Sequence, residues 1–259
     1  ALTDCDGQLC LTGTPGPIPS GYFHDVTTDK NPDVPGWPTY SWSVTQNPHH
    51  VFGQDPGALE AYRVQRGLAL DDPTWIREFQ GLWCLDTRAL IYVYQAVRNS
   101  YAELPSGDRT TIIGVDLGYD DATAFVVTSK VQGYSHTYVE HAYSRTRLQL
   151  GDVAQELASL IRSYKPQSVW VDGGKQLLET LRGSYGLPAL TAEKSDKAGA
   201  IRQVQSALAD GSLKLHAQAK ELTEEWEVLA WDDNRTGHKE GLVDHCSDAL
   251  LYAYRQHDH

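Results

Sequence analysis

The sequence predicts an α/β protein whose second half holds a mixed β-sheet flanked by helices. Three strand patterns follow one another closely between residues 110 and 143, which is typical of a meander. Beyond residue 148, apolar residues recur at helical spacing and alternate with short apolar runs. This alternation predicts helices that connect further strands of the same sheet.

The elements of this half follow a clear order. Leu150, Val153 and Leu157 share one helical face, and Gly211 ends a later helix that Ser195 is expected to cap. The predicted strands are Thr110–Leu117, Ala122–Ser129, His136–Tyr143, Ser168–Val171, Pro188–Thr191 and residues 212–216. The predicted helices are Leu148–Tyr164, Gln176–Leu181, residues 195–211, Leu222–Leu229 and Val243–Tyr254, with a polar hairpin or loop (WDDNRTGHKEG) before the last.

The first 86 residues are rich in proline, glycine and turn-forming residues. Leu9–Leu11 is predicted to be a short strand, and the alternation in residues 36–48 (GWPTYSWSVTQNP) also favours a strand. Two helices follow, the second capped by Asp72 ahead of Pro73. The Pro, Gly and Ser of ELPSGDR indicate a boundary. We therefore expect a first domain over residues 1–86, a linker over 87–108 and a second domain over 109–259.

Composition restricts the classes of function. The chain has 259 residues and a net charge of −12. This charge argues against a general nucleic-acid-binding protein, without excluding a nuclease that gathers acids in one site. No apolar run is long enough to cross a membrane, so we expect a soluble protein. The four cysteines form no CxxC pair, which is typical of reduced thiols.

Three aspartates lie where chemistry is expected. Asp116 ends the first strand of the sheet, Asp172 ends the fourth, and Asp248 lies on the last helix. If the first and fourth strands are parallel neighbours, their ends lie about 4.8 Å apart. Carboxylates there can bridge two divalent ions, as in-line attack on a phosphodiester requires. Each acid alone also fits a turn cap or a solvated helix acid, but their joint placement favours a metal site.

Further polar residues surround these three. His245 and Asp244 precede Asp248 by three and four residues and share its helical face. They are candidates for an additional ligand or for support of one. A lone histidine such as His245 is more often a hydrogen-bonded or surface residue, and its spacing from Asp248 makes the two interpretations equally good. Asp120 and Asp121 fit a cap of the turn after the first strand somewhat better than a metal contact.

Several motifs resemble one protein family. GVDLGYDDATAFVV, VWVDGG and HCSDALLYAYR are similar, in order and spacing, to the nuclease domain of the large terminase subunit of tailed bacteriophages. LTGTPGP, YSWSVTQNP and REFQGLWCLD resemble the coupling motif of its ATPase domain and the segments that follow it. The resemblance implies a ribonuclease H-like mixed sheet over residues 109–259, preceded by a partial P-loop ATPase-domain remnant.

The resemblance also implies a function. The family cuts concatemeric double-stranded viral DNA during genome packaging, with two Mg²⁺ or Mn²⁺ ions and little sequence preference. Asp116, Asp172 and Asp248 would be the catalytic metal ligands. The implied partners are a portal protein and a small terminase subunit in a ring-shaped motor, in the cytoplasm of an infected bacterium and without a membrane. Because no GxxxxGK[ST] loop occurs in the chain, we expect no ATP hydrolysis.

A nuclease must also hold DNA near its acids. The predicted topology places two basic clusters there, one at the start of the helix after residue 195 and one in the polar loop. Their members are Lys194, Lys197, Arg202, Arg235, His238 and Lys239. These residues fit solvated surface charge equally well, and as DNA contacts they would meet the backbone rather than the bases.

Other interpretations compete with this one. Junction resolvases and transposases also carry strand-end acids on ribonuclease H-like sheets. GVDLGYD resembles the phosphate-binding opening of the actin and sugar-kinase superfamily as well, but the sequence lacks a duplicated domain and a second glycine-rich motif. A binding or assembly module with a degenerate site is the third alternative, and the presence of all three acids argues against it.

Overall fold

The computed structural model describes residues 9–28, 38–118, 122–232 and 234–257. The chain divides into two compact units, Ala1–Ala89 and Leu90–His259. The helices of the first unit are α1 (Tyr22–Thr27), α2 (Val51–Gln54), α3 (Pro56–Gln65) and α4 (Pro73–Gln80), with 3₁₀ turns at Val44–Gln46 and Thr87–Ala89. Over the part of the chain described, no helix is both long and apolar enough to cross a bilayer.

The first unit is held together by aromatic packing. Trp75 and Phe79 of α4 stack with ring centroids 5.0 Å apart, and Tyr62 of α3 lies 5.5 Å from Phe79. Asp72 caps α4 as predicted, because its side chain accepts a hydrogen bond from the backbone N–H of Thr74.

Two strand predictions in this unit are wrong. Leu9–Leu11 and residues 38–43 are irregular, and Val44–Gln46 forms a 3₁₀ turn. The backbone N–H of Ser43 donates to the side chain of Gln46 at 2.7 Å, which gives this stretch a local alternative to strand pairing. An alternating pattern forms a strand only where a neighbouring strand satisfies its backbone.

The second unit contains a six-stranded mixed sheet, and the predicted α/β class is confirmed. Its strands are β1 (Arg109–Asp116), β2 (Ala122–Val131), β3 (Thr137–Thr146), β4 (Ser168–Asp172), β5 (Ala189–Thr191) and β6 (Leu213–Leu215), in the order β5-β4-β1-β2-β3-β6. The first three strands form the predicted antiparallel meander. β1 and β4 pair in parallel, and so do the two outer pairs.

Helices cover both faces of this sheet. They are α5 (Ala96–Asn99), α6 (Leu150–Tyr164), α7 (Lys175–Gly183), α8 (Lys197–Asp210), α9 (Lys220–Trp226) and α10 (His245–Tyr254). Successive side chains of a strand point to opposite faces. Val126 of β2 therefore packs in the core formed with α8, α9 and α10, whereas Phe125 and Val127 pack in the core formed with α6 and α7. The site described below depends on the first of these layers.

Residues ahead of the first strand also belong to the second unit. Tyr92 is 1% exposed and lies in the core beside α8, α9 and α10. The side-chain amide of Asn99 is buried and donates to the carbonyls of Leu208 and Leu213 at 3.0 and 3.2 Å. Part of the segment expected to be a linker is thus packed into the sheet unit.

The helices of the second unit have ends that differ from those predicted by up to three residues. Asp196, rather than Ser195, caps α8, because its carboxylate accepts a hydrogen bond from the backbone N–H of Gly199 at 2.9 Å. Asp196 adopts a left-handed backbone with φ of 46° to do so. The helix predicted over Leu222–Leu229 spans Lys220–Trp226 instead.

Gly114 allows β1 and α10 to approach closely. A Cβ added at Gly114 would lie 1.9 Å from the carbonyl oxygen of Ala249 and 3.0 Å from the backbone nitrogen of Ala253. Both neighbours are backbone atoms of the helix and cannot rotate away. The absence of a side chain at Gly114 therefore sets the distance between the strand that carries Asp116 and the helix that carries Asp248.

Replacement of Gly114 by alanine is expected to destabilise the protein by about 3 kcal/mol, at the upper end for overpacking. The added methyl group must push α10 away from β1. Urea unfolding followed by tryptophan fluorescence measures the change. Gly183→Ala is the matched control, because no atom lies within 4 Å of the added Cβ. Equal stability of the two variants would contradict the close contact.

Candidate metal centre

Two of the predicted site acids lie side by side at the end of the sheet. The parallel pairing of β1 and β4 places Asp116 opposite Asp172, and the backbone N–H of Leu117 donates to the carbonyl of Asp172 at 3.2 Å. The side chains of the two aspartates are 16% and 18% exposed. Two carboxylates therefore share one mostly buried edge, where a compensating cation is needed.

Helix α10 contacts both of these acids. Nδ1 of His245, the first residue of the helix, lies 3.2 Å from Oδ2 of Asp116. The hydroxyl of Tyr252 donates to Oδ2 of Asp172 at 2.9 Å. Asp248 lies on the same helix between these two residues, so a single rigid element carries the third acid together with a contact to each of the other two.

Two lysines also meet the acids. Nζ of Lys194 lies 2.6 Å from Oδ1 of Asp172. Nζ of Lys197 lies 2.7 Å from Oδ1 of Asp248 and hydrogen-bonds to its Oδ2 at 2.8 Å. Lys194 lies in the loop between β5 and α8, and Lys197 is the first residue of α8. The sequence placed them near the acids as DNA contacts, but it gave no sign of direct ion pairs.

A buried histidine supports the last acid. Nδ1 of His238 lies 2.8 Å from Oδ2 of Asp244 and 3.2 Å from Oδ1 of Asp248, while the hydroxyl of Tyr92 lies 3.0 Å from Nε2. Three potential metal ligands lie within 4.8 Å of one another in the described part of the chain. They are a ring nitrogen of His238 and one carboxylate oxygen each of Asp244 and Asp248. Asp116, Asp172 and Asp248 do not form such a group within that part of the chain.

Burial and mutual repulsion shift the protonation of the cluster. Burial, followed by the charge of Asp248, raises the pKa of Asp116 to about 7, although the hydrogen bond from His245 acts in the opposite direction. Burial would lower the pKa of His238, but its hydrogen bonds to Asp244 and Asp248 outweigh burial and raise it. These directions are those of carboxylates crowded together and partly compensated by nearby cationic side chains.

The start of α10 is fixed by a buried glutamate from α9. The carboxylate of Glu225 accepts hydrogen bonds from the backbone N–H groups of Cys246 and Ser247 at 2.8 and 2.9 Å, and from the hydroxyl of Ser247 at 2.8 Å. The indole N–H of Trp226 also donates to this hydroxyl, at 3.1 Å. A negative group at a helix N-terminus satisfies free amides and favours the helix dipole. This contact holds the first turn, and with it His245 and Asp248.

The other predicted residues differ in their placement. Arg202 on α8, and Arg235 and Lys239 in the loop before α10, are exposed. The side chain of His238 is 1% exposed, and both ring nitrogens face protein groups, so it presents no nitrogen to a DNA phosphate here. The remaining two candidates, Asp120 and Asp121, lie outside the described residues.

Several residues of the site were missed by sequence reasoning. Tyr252 lies four residues after Asp248, and the i, i+4 rule used for Asp244 could have found it. Tyr92 and Glu225 gave no local signal, because their contacts join segments far apart in sequence. Arg255 was also missed; it donates to the backbone carbonyls of Ser195 and Asp196 and so ties the lysine segment to the end of α10.

The residues at this edge fit divalent cations. Carboxylates are the side-chain ligands that Mg²⁺ and Mn²⁺ prefer. Oδ1 of Asp248 is buried, and it lies 2.7 Å from the Lys197 ammonium and 3.2 Å from Nδ1 of His238. This carboxylate oxygen therefore attracts cationic groups. The edge thus has the donor chemistry of a metal centre.

Comparisons with known proteins bear on the fold. No protein-family profile and no curated protein matches the chain. The large terminase of the thermophilic bacteriophage D6E aligns with a TM-score of 0.54 and 23% identity, over 74% of this chain and 49% of that one. The same protein with ATP-γ-S aligns at 0.54 and 21%, over 92% and 60%. The nuclease domain of the P22 large terminase aligns at 0.54 and 16%, over 65% and 92%.

The sheet and its flanking helices define a fold of the ribonuclease H-like class. Within that class the fold is similar to that of phage large terminases and their nuclease domain, which confirms the resemblance predicted from the motifs. The chain spans about half the length of the D6E protein.

Substitution of Asp116 by asparagine is expected to stabilise the metal-free protein, increasingly so as pH rises. The folded protein raises the pKa of Asp116 from 3.8 to about 7. The stability contributed by its protonated carboxyl is fully present below about pH 4 and is lost as pH rises through about 7. Between about pH 4 and pH 7, the free energy of unfolding of the wild type should decrease by at least about 1 kcal/mol relative to that of the variant. Urea unfolding in the presence of a chelator measures both. Asp71→Asn, at an exposed position, is the control. A gap that does not change with pH would rule out the raised pKa.

Proposed function

We propose that this chain is the nuclease part of a phage large terminase, with the trailing part of its ATPase domain ahead of it. It would act as a metal-dependent endonuclease that cuts concatemeric double-stranded DNA during genome packaging. The observation that carries the proposal is the parallel pairing of Asp116 with Asp172 beneath His245 and Asp248 of α10. The similarity of the fold to large terminases supports it.

The proposed metal ligands are Asp116, Asp172 and Asp248, with His245 as an additional ligand or as support for Asp116. Two Mg²⁺ or Mn²⁺ ions held there would supply Lewis acidity for phosphodiester hydrolysis, both at the attacking water and at the leaving oxygen. Asp116 would be central to the ligand set, because it lies between Asp172 on β4 and His245 on α10.

The surrounding residues would keep these ligands in place. Tyr252 orients the Asp172 carboxylate by its hydrogen bond, and burial raises the pKa of Tyr252, so it remains a protonated donor. His238 holds Asp244 and Asp248 from the protein side, backed by the hydroxyl of Tyr92. Such supporting contacts commonly change metal affinity or activity by about 10–100-fold when removed.

Among the residues that the structure describes, three of the proposed DNA contacts are exposed cations that pair with none of the proposed metal ligands. Arg235 lies at the tip of a short hairpin, closed by a bridge between Trp231 and His238, and adopts a left-handed backbone with φ of 56°. Lys239 follows on the returning side, and Arg202 lies on α8. As contacts to the DNA backbone they would give little sequence preference and a strong dependence on salt.

The organisation of the whole packaging enzyme extends the proposal. Residues 1–86 would be the trailing part of the ATPase domain, and residues 87–108 would lead from it into the nuclease, with Tyr92 and Asn99 already packed in the sheet unit. ATP hydrolysis is not expected of this chain, because it has no phosphate-binding loop. In the complete motor the partners would be a portal protein and a small terminase subunit, in a ring within the host cytoplasm.

Loss of a proposed metal ligand is expected to abolish cutting. Asp116→Asn and Asp248→Asn should each reduce the nicking of supercoiled plasmid in Mn²⁺ by at least about 100-fold, with Asp71→Asn as the matched control. The assay should include linear duplex and four-way junctions, since a marked preference for junctions would indicate a resolvase instead. Wild-type activity in Asp116→Asn would refute the assignment of the site.

Neutralisation of the hairpin cations is expected to weaken DNA binding and its dependence on salt. The slope of log K against log [salt] is negative, and its magnitude should decrease by about 1 for each of Arg235→Gln and Lys239→Gln. Fluorescence anisotropy with a labelled duplex measures both quantities. Lys220→Gln, which removes a lysine paired with Glu224 on α9, is the control and should leave the slope unchanged. An unchanged slope in the hairpin variants would exclude them as phosphate contacts.

A further inference from the structure

Two of the three proposed metal ligands are already paired with protein ammonium groups. Lys194 lies 2.6 Å from Asp172, and Lys197 lies 2.7 and 2.8 Å from the two oxygens of Asp248. Nζ of Lys197 is also 3.6 Å from Oδ2 of Asp244. The lysines therefore contact carboxylate oxygens that a divalent cation would need.

The backbone that carries these lysines is held in place. Asp196 lies between them in sequence and caps α8 through its carboxylate. The guanidinium of Arg255, just beyond the end of α10, donates to the carbonyls of Ser195 and Asp196. The segment is thus anchored both to α8 and to the end of the helix that carries Asp248. This fixed backbone directs the two ammonium groups towards the acids.

The side chains, in contrast, have room to move. The side chain of Lys194 is 63% exposed and that of Lys197 is 34% exposed, whereas Asp172 and Asp248 are each 18% exposed. A lysine is a point charge on a flexible four-carbon stem. Its ammonium group can leave the carboxylate and reach solvent without any change in the backbone.

We propose that Lys194 and Lys197 are resident counter-cations that compete with divalent metal for Asp172 and Asp248. In the metal-free protein they neutralise the crowded acids. When metal binds they are displaced, and the released ammonium groups become available to DNA phosphates. The inference rests on the proposed function, because it takes these acids as metal ligands.

This exchange couples metal and DNA. Metal binding must break two ion pairs, so the lysines lower the metal affinity of the protein alone. A DNA backbone that holds the displaced lysines removes this cost, so DNA raises the affinity for metal. By linkage, metal raises the affinity for DNA by the same factor. The site would then bind metal more tightly when DNA is bound than when it is absent.

The first test measures metal affinity without DNA. Lys197→Gln should bind Mn²⁺ about tenfold more tightly than wild type in calorimetry, because both competition and like-charge repulsion are removed. In chelator the same variant should melt at a lower temperature than wild type, since Asp248 loses its partner. Addition of Mn²⁺ should raise the melting temperature of the variant more than that of wild type. Lys220→Gln should match wild type in both measurements. A merely structural role for Lys197 would lower stability without tightening metal binding, and this result would overturn the proposal.

The second test measures DNA binding. With Ca²⁺ present, Lys194→Gln/Lys197→Gln should reduce the salt slope for a labelled duplex by about 2 relative to wild type. In chelator the slopes should coincide, because the wild-type lysines remain on the acids. A difference of equal size in chelator would overturn the proposal, because it would show that the lysines contact DNA whether or not metal is bound.

The outcomes separate this inference from the proposed function. If Asp248→Asn abolishes Mn²⁺ binding while Lys197→Gln leaves it unchanged, the metal centre stands and the counter-cation role is wrong. If Asp116→Asn and Asp248→Asn leave Mn²⁺ binding unchanged, the metal centre itself is wrong, and the inference is overturned with it.

Discussion

The parallel pairing of β1 with β4 is the constraint on which the rest of the site depends. It places Asp116 and Asp172 opposite each other at one strand edge, where most of both side chains is buried. Charge confined in this way requires compensation. The surrounding cationic and hydroxyl groups supply it: an imidazole contacts Asp116, while an ammonium group and a phenol contact Asp172. Most of the polar contacts at this edge offset the repulsion between the two carboxylates that the strand pairing brings together.

Helix α10 converts this edge into a three-acid site. Gly114 lets the helix backbone approach the first strand, and Glu225 holds the first helical turn through three hydrogen bonds. The two contacts come from opposite directions, one from the sheet and one from α9. The position of Asp248 relative to Asp116 is therefore set by backbone packing and helix capping, both of which are more rigid than the side chains that would bind a ligand.

Much of the sheet unit could be predicted from the sequence because its patterns are local. Alternation and helical spacing gave the strands and helices of the second half. That the acids of the first and fourth strands meet depended on a parallel pairing that the sequence analysis took as a condition. The strands predicted in the first unit were wrong, because alternation alone does not provide a pairing partner. The ion pairs of Lys194 and Lys197, and the contacts of Tyr92, depend on how distant segments meet. No local pattern encodes such contacts.

The burial of Tyr92 and Asn99 has a consequence for how such a protein can be divided during evolution. The hydroxyl of Tyr92 supports His238 from a segment that precedes every strand, and the amide of Asn99 satisfies two carbonyls around the edge strand β6. Gene fission or recombination between Asn99 and Arg109 would separate His238 from Tyr92 and leave the carbonyls of Leu208 and Leu213 unsatisfied. The unit that could be exchanged intact therefore begins near Leu90, although the sequence pattern that predicts the fold begins only at the first strand.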